Sequence, residues 1–350
     1  MAEPRQPADA AVVVVAGATG HLGQEVCLAL RRHGSRVRAL CRSSAAPETL
    51  ERLRQAGAEI FFCEVAARGD ALTDAGAIPA AAAAVISCLG ARHPSAGEDK
   101  GGAGPFAVDR DAVVALLRAA LAAGAHQFVA VGSLEGPATR GTADFIAAKE
   151  EAFDEVRRLC AGTQTRWTVV RPGAMTKEFA TIVAGKIAKT RAFTLVGDGS
   201  ALFSPVDSRD LAEWMARDVV VGVAGAGAGA GADAGGSASE SLSRNPFLDA
   251  DVTVAGPEDL TYREAMLRVA DAVGLGRDNV RLRQAPAWVF GVMAGVMTCL
   301  GQRAKAGVFR WLAYCTTHSM VGDVRVGTIT LERAVREAWE KQQQAGGGGG

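Results

Sequence analysis

The strongest constraint on the fold of this chain is a run of valines that leads into a glycine-rich turn. Residues Val12–Ala16 form a continuous apolar and mostly β-branched run, which favours a strand buried on both faces, as in a parallel sheet. Residues 22–32 then show a helical pattern, and residues 36–40 predict a second strand. The chain therefore opens as a strand, a turn, a helix and another strand.

This alternation of strands and helices continues, and it predicts an α/β fold with a doubly wound, Rossmann-type parallel sheet. The further predicted elements are strands at 59–64, 83–87, 127–131, 168–170 and 251–254, and helices at 109–123, 144–160 and 262–273.

The turn after the first strand has the glycine spacing typical of dinucleotide-binding proteins. We expect Gly17 to make the tight turn, Gly20 to let the backbone approach a pyrophosphate, and Gly23 to let the helix pack closely on the strand. The free N–H groups and the dipole of the helix N-terminus then face the phosphates. The predicted phosphate-binding residues are Gly17, Ala18, Thr19, Gly20, His21, Leu22 and Gly23. The alternative is a glycine-rich turn without a ligand.

The end of the second strand predicts which dinucleotide is bound. NAD sites usually place an acidic residue about 20 positions after the glycine turn, where it holds the ribose 2′-hydroxyl. Here Arg42 and Ser43 stand at that place, and no carboxylate does. Because a guanidinium pairs well with a phosphate, this pattern favours NADP(H). A solvated surface arginine is the alternative.

Cys88, Leu89 and Gly90 follow the fourth strand and are also predicted to contact the cofactor. In this topology the end of that strand faces the ribose and adenine of the cofactor, and the protein backbone must pass close to them. An ordinary strand exit is the alternative.

A change of composition divides the chain into three parts. Residues 221–243 are rich in glycine, alanine and serine, which leaves too little apolar surface to fold, so we predict a disordered insertion there. It separates a predicted NAD(P)-binding Rossmann domain at 11–220 from a small substrate-binding region at 244–340.

Charge and cysteine content limit the partners and the location. The formal net charge is zero, so there is no basic excess that would indicate a nucleic-acid partner. The seven cysteines include no CxxC pair, and the histidines are scattered, so neither a disulfide framework nor a metal site is predicted. Residues 1–10 show no targeting pattern, which predicts a cytoplasmic protein, or a plastid protein if a longer N-terminus exists. Nothing predicts the oligomeric state.

An apolar segment at 285–300 carries no charged residue. It lies near the lower length limit for a membrane-spanning helix. A helix lying on a membrane surface is a second interpretation, and an apolar wall of the substrate region is a third.

The glycine turn resembles that of the extended and atypical (NmrA-like) branches of the short-chain dehydrogenase/reductase family. The resemblance implies a catalytic Tyr-x-x-x-Lys element and a serine at the end of the fifth strand. Here Lys149 matches the lysine and Ser133 the serine, but Phe145 stands at the tyrosine position. Lys149 and Ser133 are therefore the candidate catalytic residues, Lys149 also holding the cofactor ribose. The alternatives are a solvated helix lysine and a loop serine.

A narrower resemblance is to the divinyl chlorophyllide 8-vinyl-reductase family, which also carries Phe-x-x-Ala-Lys at this place. It implies NADPH-dependent reduction of the vinyl C=C bond of a chlorophyll precursor, a hydrophobic substrate, and it adds Arg171 and Pro172 to the cofactor site. The alternative is a non-catalytic NAD(P)-binding redox sensor or assembly factor of the NmrA type, which the missing tyrosine favours. The blocks that carry this resemblance lie at 145–149, 170–172, 197–199, 205–207, 210–212, 255–257, 260–261, 319–320, 323 and 330–332.

Overall fold

The computed structural model describes residues 12–65, 72–73, 75–91, 104–220 and 245–346. The predicted disordered insertion at 221–243 therefore lies outside the described residues. Numbered along the chain, the strands are β1 Val12–Ala16, β2 Arg36–Cys41, β3 Glu59–Phe62, β4 Ala84–Ser87, β5 Gln127–Val131, β6 Arg166–Pro172, β7 Ala192–Val196, β8 Leu202–Phe203, β9 Ala250–Ala255, β10 Leu260–Thr261, β11 Arg281–Ala285 and β12 Val324–Arg325.

The helices occupy the intervals between these strands. They are α1 His21–Arg32, α2 Pro47–Gln55, α3 Ala112–Ala122, α4 Gly136–Thr139, α5 Asp144–Cys160, α6 Thr176–Glu178, α7 Ala184–Thr190, α8 Ser208–Trp214, α9 Tyr262–Ala272, α10 Ala287–Cys299, α11 Arg303–Thr317 and α12 Leu331–Gly346. π-helical turns at Phe106–Asp111, Phe179–Val183 and Met215–Val219 adjoin α3, α7 and α8, and a 3₁₀ turn covers Arg277–Asn279.

Eight parallel strands form the central sheet, in the order β3-β2-β1-β4-β5-β6-β9-β12. Val13, Val14 and Val15 of β1 are all buried, as the continuous apolar run predicts, because helices cover both faces of the sheet. The predicted doubly wound α/β fold is confirmed.

The sheet does not stop at the predicted domain boundary. β9 and β12 fall within the region 244–340, yet they extend the same parallel sheet beyond β6. The C-terminal part thus contributes two strands to the Rossmann sheet and places its remaining elements in a smaller lobe. That lobe has a separate apolar core, in which Phe179 and Phe203 from before the insertion pack with Met266 and Leu331 from the C-terminal part.

Several blocks that carry the narrower family resemblance form capping or long-range hydrogen bonds in this fold. Thr261 accepts a hydrogen bond from the Glu264 N–H and so caps α9, and Asp207 caps α8 in the same way. Asp210 accepts bonds from the N–H groups of Thr328 and Ile329 at 2.9 and 2.7 Å. These blocks therefore stabilise the fold, whatever the substrate is.

Candidate functional site

The carboxyl ends of β1 and β4 meet at the centre of the sheet. The chain leaves β1 toward β2 on one side, and β4 continues toward β5 on the other, so the strand order reverses here. In open α/β sheets a crevice forms at such a switch point, and ligands bind there. The predicted site residues lie along this edge of the sheet.

The backbone of the glycine turn requires glycine at two positions. Gly17 has φ of +75°, and a Cβ there would lie 2.6 Å from the Cys88 carbonyl oxygen. A Cβ on Gly23 would lie 2.2 Å from the Gly17 carbonyl oxygen, so α1 approaches the turn closely only with glycine there. The turn is thus tight and sits directly against the end of β4.

The N-terminus of α1 is suited to a phosphate group. Within the described residues, Gly20 at its N-cap offers no side chain to the first N–H groups, and the first turn contains no acidic residue. These N–H groups have no partner inside the helix. The arrangement fits the pyrophosphate of a dinucleotide, which would accept hydrogen bonds from them.

His21 lies beside this turn, and its Nε2 is 2.9 Å from the Ser208 hydroxyl. Desolvation and the nearby ammonium of Lys177 lower the pKa of His21. Lys177 is exposed, and it adds a positive charge near the phosphate turn. No motif in the sequence marks Lys177, because it is distant along the chain and only the fold brings it close.

Arg42 and Ser43 follow β2 and are both exposed. Arg42 forms no ion pair with any residue that the structure describes, unlike Arg38 of the same strand, which pairs with Glu59 at 2.9 Å. Glu64 carries an exposed carboxylate. It follows the neighbouring strand β3, so the residues after β2 do not include it. Because Arg42 is exposed and forms no ion pair with a described residue, its guanidinium is available at the edge where the adenosine ribose of a dinucleotide would lie.

Cys88, Leu89 and Gly90 follow β4 and meet Lys149 there. The Lys149 Nζ donates to the Leu89 carbonyl oxygen at 3.3 Å and lies 2.7 Å from Oδ1 of Asp109. The Asp109 side chain is 1% exposed, and its carboxylate also accepts the Ala91 N–H. Asp109, which the sequence pattern places only on a helix, thus fixes the predicted catalytic lysine at the cofactor edge.

The surroundings of Cys88 disfavour the thiolate, which is the nucleophilic form of a cysteine. Burial raises its pKa to about 12, although the charge of Lys149 acts to lower it.

Ser133 follows β5 and belongs to a cluster that includes a carboxyl group. The Ser133 side chain hydrogen-bonds Glu135, and the Trp311 indole N–H donates to Oε1 of Glu135 at 3.2 Å. The Phe145 ring meets Trp311 edge to face, with centroids 5.5 Å apart. The phenylalanine at the expected tyrosine position therefore lines the same place as Ser133 and Glu135.

Glu135 is the functional candidate that the sequence pattern does not reveal. Burial raises its pKa above the usual range of a glutamate, and the bonds from Trp311 and Ser133 and the charge of Arg171 only partly offset that rise. Burial raises the pKa of the Tyr262 phenol, and the nearby Cys315 and Glu135 add to that rise. Trp311 and Tyr262 come from the C-terminal lobe, so only tertiary contacts assemble this cluster.

Arg171 is placed differently from what its family block implies. Its guanidinium is 2% exposed and bonds the carboxylates of Glu150 and Asp251 and the carbonyl oxygen of Ser133. These bonds engage all five N–H donors of an arginine. With no donor left for a ligand, Arg171 holds β6 and α5 together, and its assignment to the cofactor site is revised. Pro172, at the end of β6, is buried and accepts the Leu134 N–H at 3.0 Å.

Comparisons with known proteins agree with this geometry. A family model described as NAD(P)H-binding matches residues 17–231. No curated protein sequence matches the chain. Among solved structures the chain is similar to gox2253, with 16% identity, a TM-score of 0.64, and coverage of 95% of this chain and 98% of that one.

Two further similar structures are those of a reductase and an epimerase. Leucoanthocyanidin reductase from Vitis vinifera, solved with NADPH, shows 16% identity and a TM-score of 0.63, covering 94% of this chain and 99% of that one. UDP-glucose 4-epimerase from Thermotoga maritima, solved with UDP-glucose, shows 12% identity and a TM-score of 0.62, covering 95% and 99%. At these identities the likeness concerns the fold. Because the family model matches more than half of the chain, including the glycine turn, the chain belongs to the NAD(P)H-binding family.

Proposed function

We propose that the protein is an NADPH-dependent reductase that acts on a conjugated carbon–carbon double bond of a hydrophobic substrate. The observation that carries the proposal is the Glu135 carboxyl group, which is bonded to Trp311 in a cluster with Phe145, a residue of the helix that also bears Lys149. Lys149 is held at the cofactor edge by Asp109, and an acidic group stands where the family tyrosine is replaced by Phe145.

NADPH is preferred to NADH in this proposal because of Arg42. Arg42 follows β2, whose end would face the adenosine ribose. Its guanidinium has no ion-pair partner among the described residues. A 2′-phosphate would give it a bidentate, charge-assisted partner.

NADPH, when bound, supplies the hydride. Lys149 then holds the nicotinamide ribose in place, and Asp109 orients the lysine. Hydride addition to one carbon of a C=C bond leaves an electron pair that the conjugated system delocalises, and a proton must reach the other carbon. We assign that proton to Glu135, whose raised pKa favours the protonated form and whose carboxyl group Ser133 and Trp311 orient.

The substrate class follows from the aromatic surroundings and the family resemblance. Phe145 and Trp311 present aromatic rings beside Glu135, which suits a flat, conjugated and apolar molecule. The 8-vinyl group of a chlorophyll precursor is the specific candidate, because the Phe-x-x-Ala-Lys block resembles that of the 8-vinyl reductases.

One experiment tests this function directly. Purified protein is mixed with NADPH and divinyl chlorophyllide, and NADPH loss is followed together with the absorption shift of the pigment. A panel of enones serves as alternative substrates. We expect NADPH oxidation matched by the pigment shift. Tight NADPH binding without turnover of any of these compounds would favour the non-catalytic, NmrA-type alternative, for which the missing tyrosine argues.

A further inference from the structure

A helical hairpin of the C-terminal lobe presents an apolar surface to solvent. In α10 the exposed fractions are 69% for Trp288, 56% for Val292 and 50% for Val296, and Leu300, just beyond the helix, is 63% exposed. The spacing of four residues places these side chains along one stripe. Ala294 is the only residue of α10 that is buried. Large apolar side chains gathered in this way mark an interaction surface.

Only one side of α10 is covered by the rest of the described chain. Phe290 meets Phe309 of α11 edge to face, with ring centroids 5.9 Å apart. α10 contains no charged residue, and apart from Thr298 near its end its side chains are mostly apolar on every face. An isolated apolar helix would be expected in a core or in lipid, and this one is in neither within the described chain.

The charged side chains of the hairpin segment itself have one sign. Residues 279–322 contain no aspartate or glutamate, although the whole chain is neutral. Each basic residue of this stretch is exposed, and none of them forms an ion pair with a residue that the structure describes. They stand before α10, at the start of α11 and within α11, and they are Arg281, Arg283, Arg303, Lys305 and Arg310.

We propose that the α10–α11 hairpin docks on the surface of an anionic lipid membrane. The apolar stripe of α10 enters the boundary between headgroups and acyl chains, and the basic residues contact the anionic headgroups. α10 lies in the membrane plane, because its 13 residues extend only about 20 Å and a bilayer core is about 30 Å thick. No described helix is long and apolar enough to cross a membrane.

The charge pattern selects lipid over a second copy of the chain. A symmetric contact through α10 would bring the basic residues of both copies together, and that repulsion would oppose the apolar contact. An anionic bilayer offers the complementary charge and an apolar phase at once.

Docking also places the candidate site near the lipid. Trp311, whose indole bonds Glu135, lies on α11, the second helix of the hairpin. An apolar substrate would then pass from the bilayer to the site with little exposure to water. This consequence depends on the proposed function, but the docking surface itself does not.

The test is vesicle flotation of the full-length protein. Vesicles of phosphatidylcholine alone are compared with vesicles that hold phosphatidylcholine and phosphatidylglycerol in equal parts, at low and high salt. We expect the protein to float with the anionic vesicles, less so at high salt. Brominated acyl chains should quench the tryptophan fluorescence of the wild type more than that of a variant without Trp288.

Two double variants divide the surface into its parts. Trp288→Ser with Val296→Ser removes the apolar stripe, and Arg303→Glu with Lys305→Glu reverses the charge. Each is expected to weaken binding to anionic vesicles by about tenfold or more. Phe62→Ser is the matched control, because Phe62 is 52% exposed but lies on β3 at the far edge of the sheet.

Retained thermal unfolding and NADPH binding show that each variant is folded. The proposal is overturned if the wild type does not float with anionic vesicles, or if the hairpin variants bind as well as the Phe62 variant. A dimer in sedimentation that Trp288→Ser with Val296→Ser abolishes, without vesicle binding by the wild type, would instead identify a contact between copies. NADPH-dependent turnover is a separate readout, so failure of the reductase proposal leaves this result unaffected.

Discussion

Arg42 and Arg171 stand at the carboxyl ends of two strands of the same parallel sheet, yet their surroundings are opposite. Arg171 of β6 is 2% exposed, and protein acceptors take all its N–H donors. Arg42, after β2, is exposed and has no ion-pair partner in the described chain. The end of β2 is thus open to a ligand. At the ends of β5 and β6, by contrast, the donors of Arg171 are already bonded to protein groups. An arginine in a family block is evidence for a ligand only where its donors remain free.

The largest expected effect is on stability at the Arg171 end. Arg171→Met leaves Glu150 buried without its ion pair, and we expect the free energy of unfolding to fall by about 3–5 kcal/mol. Urea unfolding measures this change. Adding Glu150→Gln to the same chain should restore part of the loss, because it removes the unpaired charge. A change within about 0.5 kcal/mol would contradict the assignment of Arg171 as a structural residue.

The next effect concerns the acid beside that interior. Glu135→Gln is expected to lower the rate of substrate reduction by about 100-fold while NADPH affinity is kept, because general acid catalysis is lost. Since burial raises the pKa of Glu135, the wild-type rate should fall as pH rises through that raised pKa, and the variant should lose this fall. Glu155→Gln is the control, because Glu155 lies on α5, is half-buried and, among the described residues, pairs only with Arg158. A variant with the wild-type pH profile would remove Glu135 from the mechanism.

A smaller effect is expected at the open end of β2. Arg42→Ala should weaken NADPH binding by about tenfold and leave NADH binding unchanged, since one charge-assisted contact to the 2′-phosphate is lost. Isothermal titration of both cofactors measures this. Arg36→Ala, at the opposite end of the same strand, is the matched control. Equal weakening of NADPH and NADH binding would contradict the role of Arg42. If the wild type prefers NADH, Glu64 becomes the candidate acidic residue for the ribose 2′-hydroxyl.

The smallest effect completes the comparison. Arg42→Ala should change the free energy of unfolding by less than about 0.5 kcal/mol without cofactor, because an exposed side chain without an ion pair contributes little. Urea unfolding of the variant beside Arg171→Met measures the contrast. A large loss would mean that Arg42 has a structural partner after all.

The local pattern of the sequence predicts much of the Rossmann sheet. β1 and β5 begin and end as predicted, and α5 matches its predicted range. The predicted strand at 168–170 is shorter than β6, whose ends include the polar or charged Arg166 and Arg171. Those ends are stabilised by partners far along the chain, such as Asp249 and Asp251, and periodicity does not register them.

By itself the sequence determined the glycine turn and the strand–helix alternation, because backbone torsion, glycine spacing and hydrophobic periodicity act over a few residues. It also determined that a phenylalanine replaces the family tyrosine at position 145. Only the tertiary structure decided which charged groups are free and which are paired. Asp109 reaches Lys149, Trp311 reaches Glu135, and Asp251 reaches Arg171 across long stretches of chain. Burial and pairing of charge are set by these contacts, and they separate a ligand-facing arginine from a structural one.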